Sequence, residues 1–294
     1  MIVAAAPETT RDGFEALRAR LRAQLAGQRE QQFGRVNPTW IEYAEDYFWD
    51  ESQQEFRIED LRRFGFQPGQ AKVLDLAAGC GQFLLRALHH GYDCLGLEPE
   101  AWKVDFVNQK MRLREMPPEY EGRMITGVGE HLPFVDDSFD CVTSYQTLEH
   151  VQDPRRVIAE MVRVTRPGGG IHLRCPDYRS TFEAHYQLPW LPLMPRPLAR
   201  AYLRLLGRPA EGLDGIRYVT RPRILGWLRE LEHADVRLVI FDDNRIRFEN
   251  NLRRRGVPCL PGSYTLWRVL NYVYCLFRRE SSVNIFIRVM AKKR

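Results

Sequence analysis

A handful of small and acidic residues early in the chain could hold a nucleoside. Asp75-Leu76-Ala77-Ala78-Gly79-Cys80-Gly81 follows a short apolar run, and Glu98 ends a second run 23 residues beyond Asp75. Small residues let a ligand lie against the backbone, and a helix N-terminus after them offers free N–H groups. An acid at the end of the next strand is placed to accept hydrogen bonds from two ribose hydroxyls. The third glycine of a dinucleotide fingerprint is absent, because Leu84 stands three residues after Gly81. No Gly-Lys-Ser/Thr follows to cradle phosphates, so the pattern suits a nucleoside without a pyrophosphate.

A second group could move a proton. His150, in Leu148-Glu149-His150-Val151, lies just past a predicted strand, and His titrates near neutrality. His185, in Phe182-Glu183-Ala184-His185-Tyr186, lies in a Pro- and Arg-rich stretch. Each histidine has a bland alternative. His150 can pair structurally with Glu149, and His185 can be an ordinary loop residue.

These residues need a scaffold. Strands are predicted at 72–76, 93–98, 124–126, 139–145, 171–175, 236–241 and 283–290. Helices are predicted between most of them, at 81–90, from about 101, and from Asp153-Pro154 through Val164, where Gly168-Gly169-Gly170 is read as a break. Alternating strand and helix argues for a doubly wound α/β parallel sheet covered on both faces. Residues 1–69 read as an N-terminal helical segment, with an amphipathic stripe of Phe14, Leu17, Leu21 and Leu25. Residues 70–294 read as the sheet domain, with cap insertions at about 176–216 and 242–282.

Composition fits one globular chain. Of its 294 residues 44% are hydrophobic and 28% charged, which excludes a disordered or collagenous chain. Charge is uneven: residues 1–150 carry 16 Lys and Arg against 25 Asp and Glu, and residues 151–294 carry 27 against 13. The basic half suggests an anionic partner. Its arginines sit within helical patterns among apolar residues, so no nucleic-acid binding is expected. The six scattered cysteines read as small buried hydrophobes in a reducing, cytoplasmic setting. No signal peptide is expected from the first residues, and 266–277 is too short and polar to span a bilayer.

Over roughly residues 70–175 the sequence resembles the class I S-adenosylmethionine-dependent methyltransferases, in their small-molecule branch and of a Leu-Glu-His-Val type. The resemblance rests on VLDLAAGCG, LGLEPE, GEHLPFVDDSFDCV and TLEHVQDPRRVIAEMVRVTRPGGGIHL. It implies a seven-stranded Rossmann-like sheet with an antiparallel last strand, and S-adenosyl-L-methionine as cofactor. By matching motif positions, Asp75, Ala77, Gly79 and Gly81 would flank the methionine end. Glu98 would hold the ribose, Pro99 would border the adenine, and Gly129 and Glu130 would frame it. Tyr145 and Gln146 would line the floor under the sulfonium. Ala77 stands where the family has glycine, and Val128 where it often has an acid. Related quinone-pathway O-methyltransferases hold a metal with a Glu three residues before the Glu-His pair; Gln146 stands there, so no metal is expected.

Methyl transfer from a sulfonium is an in-line displacement, so the protein must align the acceptor and exclude water. A base is needed when the acceptor is an alcohol. His150 and His185 are the expected catalytic pair, and Tyr186, Arg174, Arg179 and Arg217 the expected acceptor contacts, with Arg196 a further cation. The expected acceptor is a small hydroxylated molecule such as a saccharide or other secondary metabolite carrying an acidic group. Two alternatives stay open. The Leu- and Arg-rich inserts could rest weakly on an anionic membrane and serve a lipid-linked or quinone-like acceptor. The domain could also bind its cofactor without catalysis.

Overall fold

The computed structural model describes residues 8–34, 38–232, 236–254, 256, 258–278 and 282–291. The chain divides into two compact units, Met1–Val128 and Gly129–Arg294, taken in turn below.

The first unit opens with three helices, α1 (Glu8–Phe33), α2 (Pro38–Trp49) and α3 (Glu55–Arg63). The expected stripe of α1 is turned inward: Leu17, Leu21 and Leu25 are buried. On its polar side Arg18 and Arg22 both bind Glu45 of α2. Strand β1 (Lys72–Leu76), helix α4 (Gln82–His89), strand β2 (Asp93–Glu98), helix α5 (Ala101–Leu113) and strand β3 (Met124–Thr126) follow. β1 pairs with β2 and β2 with β3, both parallel. Helix α1 reaches α5 through Arg20 to Asp105 at 2.8 Å. Gly81 begins α4 at φ 73°, and a Cβ there would meet Val107 of α5 at 2.7 Å, so only glycine lets the two helices approach.

The second unit holds β4 (Phe139–Tyr145), α6 (Pro154–Val164), β5 (Thr165–Pro176), the short strands β6 (Phe182–Glu183) and β7 (Leu188–Pro189), α7 (Arg196–Leu205), α8 (Arg221–Glu230), β8 (Val236–Asp242), α9 (Asp243–Arg254), α10 (Ser263–Arg278) and β9 (Ser282–Ala291). Asp153 caps α6 by accepting from the Arg156 N–H at 3.1 Å, and Thr220 caps α8 likewise at 3.5 Å. β5 runs parallel to β4, while β9 runs antiparallel to both β5 and β8. The sheet order is β3-β2-β1-β4-β5-β9-β8, a doubly wound Rossmann-like sheet whose last strand is antiparallel.

The glycine run differs from expectation. Gly168 to Gly170 lies inside β5, which starts at Thr165 directly after α6. The register slips between Phe139 and Cys141 opposite it. A Cβ on Gly169 would sit 2.7 Å from the Asp140 carbonyl oxygen, so the glycines let an irregular strand hug its neighbour rather than end the helix. The hairpin β6–β7 was not expected; it occupies the first insertion. Among the described residues four cysteines are buried and unbridged, and Cys259 is exposed. No described helix is long and apolar enough to cross a membrane.

Candidate active site

In the first unit the loop after β1 meets the end of β2. Glu98 is 3% exposed. Its Oε2 accepts the Gly79 N–H at 2.9 Å, and its Oε1 accepts the Glu100 N–H at 3.4 Å and Lys103 Nζ at 3.2 Å. A carboxylate has about four lone-pair sites, so these bonds leave Oε2 able to accept another donor. Burial opposes the charge on Lys103, but Glu98 and Glu100 outweigh it and raise its ammonium above the ordinary value. Asp75 is buried and binds Arg57 Nη2 at 2.5 Å, with the guanidinium over the Phe83 ring. Pro99 is exposed directly after Glu98. Ala77 takes φ 57°, the left-handed conformation of the glycine it replaces. An L-residue held there carries backbone strain. Asp75, Ala77, Gly79, Gly81 and Glu98 thus come together as one loop-and-strand-end cluster.

In the second unit Gly129 is buried, while the Glu130 side chain has a different task from framing a base. Its Oε1 accepts the N–H groups of Gln152 at 2.8 Å and Asp153 at 3.2 Å, at the entry to α6. An acid at a helix start satisfies unpaired donors and the local dipole. Tyr145 ends β4 with its hydroxyl 2.9 Å from His172 Nδ1. Next to it the exposed Gln146 holds φ 54°, its N–H bonded to the Arg174 carbonyl at 2.8 Å. Strained backbone at a strand's C-terminal end is a frequent property of sites that hold a ligand.

Beyond that turn lies the polar cluster that the two histidines announced. His150 Nε2 is 3.1 Å from His185 Nε2, with the rings edge to face. His185 Nδ1 lies 2.7 Å from Glu183 Oε1. Glu183 also accepts the Tyr178 hydroxyl at 3.3 Å and the Tyr186 N–H at 2.6 Å. Burial works against its charge, yet these bonds, His185 above all, hold it below the usual carboxylate range. Glu149 is the contrast. It is fully enclosed, its Oε2 has no hydrogen-bond partner, and burial pushes its carboxyl up to about 7. The hairpin carries His185 to His150 by placing Glu183 at the end of β6. The His150 side chain is 46% exposed, so the array opens to solvent at one end.

The expected acceptor contacts divide. Arg179 is held by Asp177. Arg217 donates to the Asp214 and Gln152 carbonyls. Arg196 binds the Leu213 and Ile216 carbonyls and stacks on Tyr218. Tyr186 is 1% exposed and stacked on Trp190, a packing residue rather than an open contact. All four are engaged within the second unit, and Arg196 and Arg217 satisfy carbonyls that no regular structure pairs. Arg174 differs: half-buried on β5, it has no carboxylate partner among the described residues, and its Nε is buried without an acceptor. Glu183 and Tyr178 were not singled out from sequence; the Glu-x-His spacing at 183–185 was the available signal.

Donor atoms of Glu149, His150 and His185 lie within 4.8 Å of one another, near enough to share a divalent ion. The expectation of no metal rested on Gln146, which has no part in this set.

Comparison with known proteins fits this geometry. The family model for a methyltransferase domain matches residues 74–173. An uncharacterized methyltransferase from Mycobacterium sp. (strain JLS) is 39% identical over 122 residues, 40% of this chain and 44% of the relative. The chain thus spans less than half the length of that relative. A demethylmenaquinone methyltransferase from the same strain is 31% identical over 197 residues, covering 64% of this chain and 78% of the relative. The crystal structure of an S-adenosylmethionine-dependent methyltransferase from Mesorhizobium loti aligns with 78% of this chain and 96% of its own, at 18% identity and a TM-score of 0.46. The chain belongs to the class I S-adenosylmethionine-dependent methyltransferases, and S-adenosylmethionine is its cofactor.

Proposed function

We propose that this protein transfers the cofactor's methyl group to a hydroxyl of a small molecule, with His150 as the base. The acceptor oxygen bonds to the methyl carbon as the carbon–sulfur bond breaks, and the sulfur keeps the electron pair as the neutral thioether. The hydroxyl proton must leave, and the observation that carries the reading is the hydrogen-bonded run His150–His185–Glu183. Glu183 remains charged, so it accepts a hydrogen bond from the His185 Nδ1–H and fixes that ring's tautomer. A proton taken up at His150 can then be shared with His185 beside a carboxylate. That spreads the new positive charge and makes the pair a better base than an isolated imidazole. Glu98 is the expected ribose contact, and Gly79 is expected at the methionine end.

Arg174, a half-buried guanidinium without a carboxylate, supports an acceptor that carries an acidic group. We read such an acceptor as a sugar acid or similar hydroxylated metabolite. A second reading, a lipid-linked or quinone-like acceptor, is supported by the relative named demethylmenaquinone methyltransferase. Buried, unbridged cysteines support a cytoplasmic setting.

An acceptor panel of hydroxylated acids, sugars and quinols, scored by release of S-adenosylhomocysteine, separates these readings, and no release from any class would leave only cofactor binding. With an acceptor in hand, His150→Ala should lower kcat by about 100-fold to 10,000-fold without changing cofactor affinity. Near-normal turnover would reject the base. A chelator should leave turnover intact; its loss, restored by a divalent ion, would reassign Glu149, His150 and His185 as ligands.

A further inference from the structure

We infer that helix α10 and the loop before it form a docking surface for an anionic lipid bilayer. The inference does not depend on the methyl-transfer reading. Among its described side chains, Tyr264 and Trp267 fasten the helix. Tyr264 and Trp267 stack on each other and pack against Phe248 of α9, and the Tyr264 hydroxyl donates to Asp242 at 3.0 Å. The other side presents Leu266, Val269 and Leu270, exposed by 60%, 55% and 58%. Their spacing of three and four residues puts them on one stripe of the helix. In a helix facing only water that stripe would be polar. Leu260, 64% exposed, stands in the loop beside exposed Pro258, Cys259 and Pro261.

Charge decides what covers the stripe. Residues 250–279 contain no Asp or Glu and six arginines. Arg253 and Arg268 are exposed. Exposed leucines that can enter the acyl boundary, in a stretch rich in cations and free of any acid, match an anionic headgroup layer. An ordinary protein interface would mix both signs at its rim. A stretch of the first insertion repeats the composition. Residues 184–210 also lack an acid and carry four arginines, and Leu198 and Leu205 are exposed on α7 while Ala199 and Leu203 face inward. Two stretches of the same unusual make-up favour one shared environment.

The full chain should sediment with vesicles of phosphatidylcholine mixed with phosphatidylglycerol at low salt, and far less with phosphatidylcholine alone. Arg268→Glu, a single exposed change, should weaken the binding about tenfold. Leu266→Gln, Val269→Gln and Leu270→Gln together should weaken it about 100-fold. A second readout guards against a variant that folds poorly. In a Cys275→Ser background, an environment-sensitive dye on Cys259 should shift to the blue on the mixed vesicles, and high salt should reverse the shift. Protein that stays in the supernatant with both vesicle types would overturn the proposal. So would equal binding to neutral vesicles, or a dimer in light scattering that the triple variant dissolves.

Discussion

The two units treat their buried charges in opposite ways. In the first, every acid of the presumed cofactor cluster is neutralised on the spot. Asp75 has Arg57, and Glu98 has Lys103 and two N–H groups. In the second, Glu183 is bonded by three partners while Glu149, close by, is enclosed with an unbonded oxygen. Charge follows the same division, with an acidic first half and a basic second half. A site that grips one constant ligand gains from fixed groups whose charges are paired. A site that handles a proton needs groups whose charge can change, and such groups cannot all be paired.

The largest effect that could break this comparison lies at Glu98. Glu98→Ala leaves the Gly79 N–H without its acceptor, takes from Lys103 one of its two carboxylates and removes the acid expected to hold the ribose. Two charge-assisted hydrogen bonds correspond to about 100-fold or more in affinity. Titration calorimetry should therefore register no cofactor binding, while far-UV dichroism reports a folded chain. Retained affinity would place the ribose elsewhere and remove the contrast between the units.

Glu149 sharpens the comparison from the other side. Burial raises its folded-state value to about 7, above the ordinary carboxylate range; the nearby charge of His185 lowers it and that of Glu183 raises it. With the value raised, the fold favours the protonated acid. The stability it contributes is fully present below the unfolded value near 4.5, and is lost as pH rises through about 7. His150 and His185 are the other titratable groups beside it. Glu149→Gln keeps the shape and removes the ionisation. Its urea midpoint should match the parent's near pH 5 and exceed it near pH 8, by a difference on the order of 2–3 kcal/mol. Parallel curves at both pH values would mean that Glu149 ionises freely in the fold.

The legibility of the molecule follows the same line. Strands at 72–76, 93–98, 124–126 and 139–145 stand where the sequence put them, and all but the short 124–126 are largely buried runs bounded by turn residues. The Gly79 to Gly81 loop and Glu98 were equally legible, since close approach to a backbone demands small residues in a fixed order. The insertions were not. The roles of Arg196 and Arg217 depend on carbonyls left unpaired by irregular chain, which no local pattern encodes. Glu130 shows the same limit inside a motif. Its position was clear, but its use as a cap for α6 depends on the path between residues 130 and 152. Glu183 became visible only when the hairpin brought His185 to His150.

The smallest effect concerns Ala77. At φ 57° an alanine is held where an L-residue costs about 1–2 kcal/mol. Glycine would relieve that strain but add conformational freedom to the unfolded chain, offsetting up to about 1 kcal/mol. Ala77→Gly should thus stabilise the protein by no more than about 1 kcal/mol, a rise of a few degrees at most in the melting temperature. Cofactor affinity is the more telling measurement. If the strained alanine serves to hold the Gly79 N–H on Glu98, the glycine variant should bind the cofactor more weakly although it melts higher. Tighter or equal binding in the more stable variant would make Ala77 a tolerated change in the first unit, and would leave deliberate strain to the second unit, at Gln146.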